Sequence, residues 1–569
     1  MKKTTNYKLQ VTSRILILLF IIFVAGFLRF YRLGQVPPAL DWDEVSLGYN
    51  AWALGETGRD EFGNSWPLSI RSFGDYKPPV YTYLLIPSIK IFGRTEFAIR
   101  FPAALAGTLT VLVTYFLVES LLRPGLAAAR PGLFRHTPLI TTLLLAISPW
   151  HLQFSRIAFE ANVGLLFFVT GMWFLLRALR RRLPWWLFFC VVSMSAAMMS
   201  YHSLRVVTPL VVLGMLFIYR KDAWNLIRPG LVVTRPGLFK SLVPLILSAV
   251  LTILTILTIF YTVFFQNVGQ SRFNETSFLT IDDLMTVSRR RIEKSGGNFL
   301  DRAANHRFLV YGRQYLKGYL DHYNLRFWFL DGDRNDRHRT PGVGLLYWWE
   351  GVLFMAGVVC LIRQIRRIRQ IRVLFLWLMA APVAAALTGG TPSAVRSLGF
   401  LPTFQIIEGM GAVWIMSLMG RMSRMGLMKR GIITFYFLLF AFETSYYFHQ
   451  YYVQAPVSTA PSWQYGYKQL VERVMKEKDV YEKVIVTTGY DQPYIYFLWY
   501  GNYDPKLWVN DGEFNKRFEK YEFRKIDWDQ LSGQQRILVV SSPDETKGKP
   551  VKWQIDFPDG RTAFNITEL

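Results

Sequence analysis

The stretch with the clearest chemical potential in this chain runs from Asp41 to Pro79. Acidic and aromatic residues are interleaved along it: Asp41, Trp42, Asp43, Glu44, Tyr49, Trp52, Glu56, Asp60, Glu61, Trp66, Asp75 and Tyr76. Aromatic rings stack on the apolar face of a sugar and carboxylates accept its hydroxyl protons, so this composition favours a sugar site. A solvated loop whose aromatic residues lie at a membrane interface has the same composition, and both interpretations stay open at this point.

Two polar turns further along the chain carry ionisable groups. The first is SPWHLQFSRIAFEAN at 148–162, with His151, Arg156, Glu160 and Asn162. If residues 156–162 are helical, Arg156 and Glu160 lie four positions apart on one face and can form a simple ion pair. The second is YHSLR, whose Tyr201, His202 and Arg205 together favour anion binding.

Two later segments offer more cationic groups. DGDRNDRHRTPG at 331–342 places Arg337 and His338 beside aspartates, although its glycines and aspartates are equally typical of tight turns. TGGTPSAVRSLG at 388–399 offers Arg396 at the expected start of a helix. Because an arginine and free N–H groups together hold phosphate, this segment is a candidate phosphate site.

The elements that must position these groups are membrane helices. With 51% hydrophobic, 16% aromatic and 18% charged residues, the composition is that of a membrane protein. About eleven spans are predicted: 15–31, 103–122, 138–149, 161–176, 185–200, 206–219, 241–265, 344–362, 373–388, 398–419 and 431–449. Several are short for a bilayer crossing, and 138–149 is expected to cross tilted or to stop short. The first span is interpreted as a retained anchor, because no small-residue cleavage site follows it.

The net charge of +25 is concentrated in six alternate connecting segments. These segments hold 25 basic residues and one acid, Asp222. The positive-inside rule therefore places them and the N-terminus in the cytoplasm, and places the loops 32–100 and 266–343 outside. This distribution explains the charge without nucleic acid. It predicts a multi-pass protein of the cell membrane.

The remaining sequence divides the chain at about residue 450. Residues 451–569 have the composition of a soluble domain, with strands predicted at Lys483–Thr488, Arg536–Ser541 and 551–557 and a helix around 467–475. This predicts an extracytoplasmic α/β domain after a transmembrane domain at 1–450. Repeated RPGL segments at 123–126, 130–133, 228–231 and 235–238 are predicted to be structural turns, and a contact of their arginines with lipid headgroups is the alternative. Cys190 and Cys360 lie in spans, so a disulfide framework is not expected.

The chain resembles the GT-C glycosyltransferases of the protein O-mannosyltransferase and aminoarabinose-transferase type, family 39. The resemblance covers roughly 15–450 and is carried by Asp43-Glu44, DYKPP at 75–79, SRIAFE at 155–160 and PSAVRSLGFLP at 392–402. It implies a polytopic α-helical membrane protein with about eleven spans and a small C-terminal α/β domain. It also implies transfer of a sugar from a polyprenyl-phosphate donor, on the outer face of the membrane, to an acceptor that is a protein, a lipid or a glycan.

The resemblance also implies roles for matching positions. Asp43, with Glu44 beside it, corresponds to the catalytic acid, and Lys77 to the lysine that holds the donor phosphate. Glu160 stands where relatives usually carry Asp in a second acidic position. Further phosphate contacts are expected from Arg156 and Arg396. Candidate substrate contacts are Asp41, Tyr76, Tyr201, His202, Arg205, Arg337 and His338. The sequence indicates no certain metal site and leaves a divalent cation open.

The chemistry fits these residue types. A carboxylate base takes the proton of the attacking acceptor, and Lys and Arg stabilise the charge on the leaving phosphate. A single displacement predicts inversion at the anomeric carbon. Two other classes of protein stay open: a transporter or flippase of lipid-linked sugars, which predicts ionisable groups in mid-membrane and internal repeats, and a non-enzymatic envelope protein.

Overall fold

The structure is a computed structural model that describes residues 2–122, 133–227, 235–266, 277, 282–296, 298–364, 369–421, 426–508 and 516–569. The chain forms two compact units. The first comprises Met1–Tyr31, Ala103–Ser155 and Glu160–Tyr447, and the second comprises Arg32–Pro102, Arg156–Phe159 and Phe448–Leu569. The second unit therefore combines the first loop, four residues of the SRIAFE motif and the C-terminal region.

The first unit is helical. Its longer helices are Lys2–Phe30, Thr137–Ile147, Pro149–Ser155, Glu160–Arg181, Pro184–Met198, Leu204–Ile218, Arg220–Ile227, Arg235–Phe265, Trp348–Gln364, Arg369–Ala380, Thr403–Arg421 and Gly426–His449. Glu96–Leu122 begins in the second unit and continues in the first. In its described residues the predicted loop 266–343 contains four α-helices, Asp282–Lys294, Phe299–Ala304, Arg307–Asp321 and Leu325–Phe329, and the 3-10 helix Asp336–His338.

Seven segments among the described residues are long and apolar enough to cross a membrane. They are Thr12–Phe30, Glu96–Leu122, Glu160–Arg181, Leu242–Phe265, Arg369–Leu387, Leu398–Gly420 and Met428–Ser458. The other four predicted spans correspond to shorter helices: Thr137–Ile147, Pro184–Met198, Leu204–Ile218 and Trp348–Gln364. The protein is thus a polytopic helical membrane protein, and 138–149 is indeed short because Pro149 begins a separate helix.

Two of the membrane helices approach each other closely through glycines. A Cβ atom on Gly357 would lie 2.0 Å from the carbonyl oxygen of Ile407, and one on Gly411 would lie 2.0 Å from that of Leu353. Small residues allow such close contact between helix backbones in membranes. Trp348–Gln364 and Thr403–Arg421 are consequently held backbone to backbone.

The second unit combines helices, a hairpin and a sheet. Its helices include Trp42–Thr57, Val80–Phe92, Ala455–Ser458, Tyr467–Glu477, Pro493–Tyr500 and Pro543–Thr546. The strands are β1 (Ile70–Ser72), β2 (Asp75–Lys77), β3 (Lys483–Val486), β4 (Arg517–Phe518), β5 (Tyr521–Phe523), β6 (Ile537–Ser541), β7 (Trp553–Asp556) and β8 (Thr562–Glu568). Strands β1 and β2 form the hairpin, and the other six form one sheet in the order β4-β5-β3-β6-β8-β7.

The centre of the sheet matches the sequence prediction. Strand β3 is parallel to both β5 and β6, and its buried Val484, Ile485 and Val486 form the middle of the core. The predicted strands at 483–488, 536–541 and 551–557 and the helix near 467–475 are confirmed by β3, β6, β7 and Tyr467–Glu477. Strands β4, β5 and β8 were not predicted.

The RPGL segments lie largely outside the described residues. The copies at 123–126 and 228–231 lie outside the described residues, and the copy at 130–133 reaches them only at Leu133. The copy at 235–238 begins the helix Arg235–Phe265 instead of forming a turn.

Candidate functional site

The acidic pair of the first loop lies at the start of the helix Trp42–Thr57. Asp41 is the N-cap: its carboxylate accepts a hydrogen bond from the Glu44 backbone N–H at 2.8 Å. The Glu44 carboxylate in turn accepts from the Asp41 N–H at 3.4 Å. This reciprocal capping box satisfies donors that the helix start leaves without partners. Asp41 is therefore a structural residue of the loop, and its predicted substrate contact stays a prediction.

Both carboxylate oxygens of Glu44 accept hydrogen bonds from groups of the second unit. Arg100 binds it in a fork, with Nε and Nη2 each 2.9 Å from one carboxylate oxygen. The Ala158 backbone N–H donates to the same carboxylate at 2.9 Å. Both charged side chains are fully buried. A carboxylate whose acceptor sites are filled by structural donors is poorly placed to take a proton from a substrate.

Asp43 has a different environment from its two acidic neighbours. Its Oδ1 lies 2.5 Å from Nζ of Lys77, and its side chain is 30% exposed whereas that of Lys77 is 8% exposed. Lys77 ends strand β2, and the hairpin is attached to the helix by a 2.9 Å hydrogen bond between Ser46 and Ser72. The structure thus brings together the two residues for which the strongest roles were predicted.

The other acids of this loop are engaged elsewhere. Asp60 accepts hydrogen bonds from the backbone N–H groups of Phe62 and Asn64 and so shapes a turn. Burial, and next the neighbouring charge of Asp60, raise the pKa of Glu61 to about 8, while the Tyr494 hydroxyl donates to it at 3.3 Å. Of the acids whose contacts are described here, Asp43 combines partial exposure with a buried cation.

The SRIAFE segment at 155–160 is divided between the two units: Arg156–Phe159 belongs to the second unit, and the residues on either side belong to the first. Arg156 is buried, donates to the Tyr451 hydroxyl at 3.1 Å and to the Val36 carbonyl at 3.1 Å, and lies over the ring of Tyr452. The condition for an Arg156–Glu160 helical pair is not met, because the helix begins only at Glu160. Arg156 therefore acts first as an anchor of the 156–159 segment. Its predicted phosphate contact, like the role of Glu160, stays a prediction.

A separate cavity of about 200 Å³ lies in the first unit. It is lined by Tyr201, His202, Ser203, Val206, Ala384, Ala385, Leu387, Thr388 and Arg396. The Arg396 Nη1 donates to the Thr388 hydroxyl at 2.9 Å and to the Gly389 carbonyl at 3.0 Å. Arg205 lies at the start of the same helix as Val206 and donates to the Met198 carbonyl at 3.2 Å. Three predicted anion-binding residues, Tyr201, His202 and Arg396, thus share one cavity.

The backbone next to Arg396 is held by groups that sequence reasoning missed. The N–H of Ser393 donates to Nε2 of the buried His322 at 3.1 Å, and Nδ1 of His322 bonds the Gly318 carbonyl at 2.7 Å. The N–H of Ala394 donates to Asp333 at 2.6 Å. These bonds require neutral His322 with its proton on Nδ1. No local pattern in the sequence identifies His322, which ends a loop helix.

Asp333 also explains the position of the RNDRH segment. His338 lies 3.3 Å from its carboxylate, and the carbonyl of the adjacent Arg337 accepts from Gln153 at 2.8 Å. Burial raises the pKa of Asp333, but the hydrogen bond and charge of His338 and the backbone hydrogen bonds from Asn335 and Ala394 together lower it overall. The contact of His338 with Asp333 and that of the Arg337 carbonyl with Gln153 hold the segment in place. The substrate contacts predicted for Arg337 and His338 stay predictions. Within the described ranges no cluster of three metal-ligating side chains occurs.

Comparison with known proteins supports the resemblance. Residues 76–234 match a family model described as dolichyl-phosphate-mannose-protein mannosyltransferase. No curated protein sequence matched the chain.

Solved structures share the fold over nearly the whole chain. ArnT from Cupriavidus metallidurans bound to undecaprenyl phosphate is 13% identical, with a TM-score of 0.51 and 98% of each chain covered. The archaeal oligosaccharyltransferase AglB from Archaeoglobus fulgidus, in complex with an inhibitory peptide and a dolichol-phosphate, is 12% identical with a TM-score of 0.50. That match covers 98% of this chain and 74% of AglB.

The similarity to GT-C glycosyltransferases of the protein O-mannosyltransferase and ArnT type is thereby confirmed, and so is the GT-C fold with its C-terminal domain. Together these matches support a membrane glycosyltransferase.

Proposed function

We propose that this protein transfers a sugar from a polyprenyl-phosphate-linked donor to an acceptor hydroxyl or amine at the outer face of the membrane. The observation that carries the proposal is the pair of Asp43 and Lys77, joined at 2.5 Å at the junction of a helix start and a hairpin. The base and the cation that such a reaction needs are adjacent. The capping box holds the helix start that carries Asp43, and the bond between Ser46 and Ser72 holds the hairpin that carries Lys77.

In the proposed reaction, donor binding places a phosphate oxygen on Lys77 and separates it from Asp43. The released carboxylate accepts the proton of the acceptor O–H or N–H as that atom attacks the anomeric carbon. The bond between the anomeric carbon and the phosphate oxygen breaks, and its electron pair remains on the polyprenyl phosphate. Lys77 stabilises that charge. One displacement inverts the anomeric configuration.

The polyprenyl carrier is supported by the structural relatives. ArnT was solved with undecaprenyl phosphate and AglB with a dolichol-phosphate, and both share this fold. We propose that the donor of this chain has the same phosphate-and-isoprenoid chemistry. Arg396 is proposed as a second phosphate contact, in the cavity that it shares with Tyr201 and His202. Glu160 is proposed as a second acid.

The direct test offers radiolabelled polyprenyl-phosphate sugars to the purified full-length protein together with protein, lipid and glycan acceptors. Transfer of label, with the product mass measured, identifies the sugar and the acceptor. NMR of the product distinguishes inversion from retention. Donor binding without transfer to any acceptor, or retention of configuration, contradicts the proposal. Addition and chelation of divalent cations in the same assay decides whether a metal is needed.

The outer-face location rests on the distribution of charge. Single cysteines in place of the exposed Ser65 and Ser458 are expected to react with an impermeant thiol reagent in intact cells. A cysteine in place of Arg182 is expected to react only after permeabilisation. Cys190 and Cys360, which are buried, are replaced first. If the cysteines at positions 65 and 458 react from opposite sides of the membrane, the proposed topology is contradicted.

One observation favours the second candidate, transport of a lipid-linked sugar. Glu350 and Glu408 are buried within predicted spans, and in the described part of the chain both carboxylate oxygens of Glu408 lack a hydrogen-bond partner. Ionisable groups in that setting are typical of proton and ion routes. If the protein is a transporter, Glu408→Gln abolishes movement of a fluorescent polyprenyl-phosphate sugar across vesicles. If it is a transferase, that variant keeps sugar transfer.

A further inference from the structure

A second cavity of about 220 Å³ lies within the second unit, between the helices Trp42–Thr57 and Val80–Phe92. Its lining residues are Ala51, Trp52, Gly55, Glu56, Ile86, Ile89, Lys90, Gly93 and Arg94. The two helices are in contact at this point, since a Cβ on Gly55 would lie 3.4 Å from Ile86, an ordinary van der Waals distance. None of these residues takes part in the proposed transfer.

The cavity contains two cationic side chains, Lys90 and Arg94, whose N–H groups are available for hydrogen bonds to a ligand. The guanidinium carbon of Arg94 lies over the Trp52 ring, 3.9 Å from its centre, so the side chain makes a cation–π contact. Among the described residues neither Arg94 nor Lys90 donates a side-chain hydrogen bond. A guanidinium in a cation–π contact keeps its N–H groups for hydrogen bonds, and two of them can bind two oxygens of a phosphate.

The remaining wall makes the cavity amphipathic. The acid in the lining, Glu56, is 3.7 Å from Lys506 in a solvent-exposed pair, and its charge also acts on Arg94. Ala51, Ile86 and Ile89 supply apolar surface. The helix that carries Lys90 is apolar and exposes Leu84 and Ile91, the latter by 71%. A short apolar helix that ends in cations is typical of a segment lying in the membrane interface.

We propose that this cavity binds the phosphate-bearing headgroup of a membrane lipid, with Arg94 and Lys90 on the phosphate and with Ile86 and Ile89 against the start of the acyl chains. The bound lipid holds the first loop at the membrane surface. This site is independent of the pair of Asp43 and Lys77 and needs no turnover.

The test uses native mass spectrometry of the purified full-length protein. The probes are dioleoyl phosphatidylglycerol, dioleoylglycerol with the same acyl chains, and water-soluble sn-glycerol 3-phosphate. The wild type is expected to bind phosphatidylglycerol in preference to dioleoylglycerol. The Lys90→Gln/Arg94→Gln variant is expected to lose phosphatidylglycerol affinity by about tenfold or more, because two charge-assisted contacts are removed. Lys90→Arg/Arg94→Lys is expected to keep much of the affinity.

Arg59→Gln is the matched control, since Arg59 is an exposed cation of the same loop outside the cavity. Unchanged phosphatidylglycerol binding in the double Gln variant overturns the proposal, and so does an equal loss in Arg59→Gln. Displacement of the lipid by sn-glycerol 3-phosphate overturns the assignment to a lipid in favour of a soluble phosphate ester. Persistence of the lipid against that competitor supports it.

Discussion

Two predicted phosphate-binding cations, Lys77 in the second unit and Arg396 in the first, are held in opposite ways. Lys77 is almost fully buried and its ammonium group is paired with the carboxylate of Asp43. Arg396 is half-buried at a cavity and donates to neutral oxygens of Thr388 and Gly389. A phosphate that binds Lys77 must compete with a charged partner, whereas one that binds Arg396 adds to weaker, neutral bonds.

This difference indicates different functions for Lys77 and Arg396. In the proposed reaction Lys77 must leave the Asp43 carboxylate when the donor binds, so it would link donor binding to the chemical step. Arg396, which is bonded to neutral groups, would attract the phosphate without such an exchange. We therefore expect loss of Lys77 to affect both donor affinity and the chemical step, and loss of Arg396 to affect mainly affinity.

The largest effect is expected for Asp43→Asn. The change is nearly isosteric and removes the base, so transfer should fall by roughly 10²–10⁴-fold. Asp529→Asn, an exposed aspartate of the sheet domain, is the control. A vesicle transfer assay with radiolabelled donor gives the rate. Activity near that of the wild type would move the base to another acid, with Glu160 tested next.

The next effect is expected for Lys77→Ala, which should lower transfer by roughly 10²–10³-fold because charge on the leaving phosphate loses its stabilisation. Lys77→Arg keeps the charge and should cost less. Competition by free polyprenyl phosphate measures the change in donor affinity, and Lys525→Ala serves as an exposed control. Equal inhibition constants in the wild type and Lys77→Ala would remove Lys77 from the donor site.

A smaller effect is expected for Arg396→Gln. Loss of one charge-assisted phosphate contact should weaken donor binding by about tenfold, with the maximal rate little changed. Arg334→Gln, which removes an exposed cation of the same unit, is the control. The proposed contrast with Lys77 breaks down if Arg396→Gln lowers the maximal rate and leaves the Michaelis constant unchanged.

The smallest effect concerns the support of the Arg396 segment and depends on pH. Burial lowers the pKa of His322 below its ordinary value of 6.5; bonding to Gly318 and the charges of Asp321 and Asp333 oppose the shift, and Arg396 adds to it. The folded protein therefore binds this proton less readily than the unfolded chain. The contribution of His322 to stability is full above about pH 6.5 and is lost as the pH falls below that value.

His322→Gln should lower the stability by about 1 kcal/mol at pH 8, because the bond to Ser393 is weakened. The difference from the wild type should shrink on acidification. Thermal unfolding across pH 5–8 measures it, and the exposed His306→Gln is the control. A difference that stays constant over this range would mean that titration of His322 does not affect the fold.

The sequence identified the membrane architecture well because hydropathy and charge are properties of whole segments. Seven of the eleven predicted spans are confirmed as long apolar segments, and the centre of the sheet was found from buried β-branched runs such as KVIV. The local pattern failed where bonds between distant positions decide a residue's role. Glu44 stands beside Asp43 in the sequence, and nothing in the local pattern indicates that Arg100, 56 positions later, binds it.

Some features were missed although the sequence carries a signal for them, and others leave no local signal. Its helix Trp42–Thr57 was not predicted, although Asp41 followed three residues later by Glu44 is a capping-box signal. Strand β8 was missed because its TAFNITE sequence carries mixed polar groups on a buried strand. The positions of Ser393 and Ala394 depend on His322 and Asp333, which lie more than 60 residues away, and such partners leave no local pattern.

The three-way bonding of Glu44 also imposes an order on biosynthesis. Its last partner, the backbone of Ala158, is 114 positions further along the chain. At a synthesis rate of about 5–20 residues per second, Ala158 leaves the ribosome roughly 6–23 s after Glu44, and the bonds of Glu44 cannot be completed earlier. During that interval the first loop carries an incompletely bonded carboxylate. Nascent chains that end before residue 158 should therefore be recognised as unfinished by the cell's quality-control proteases.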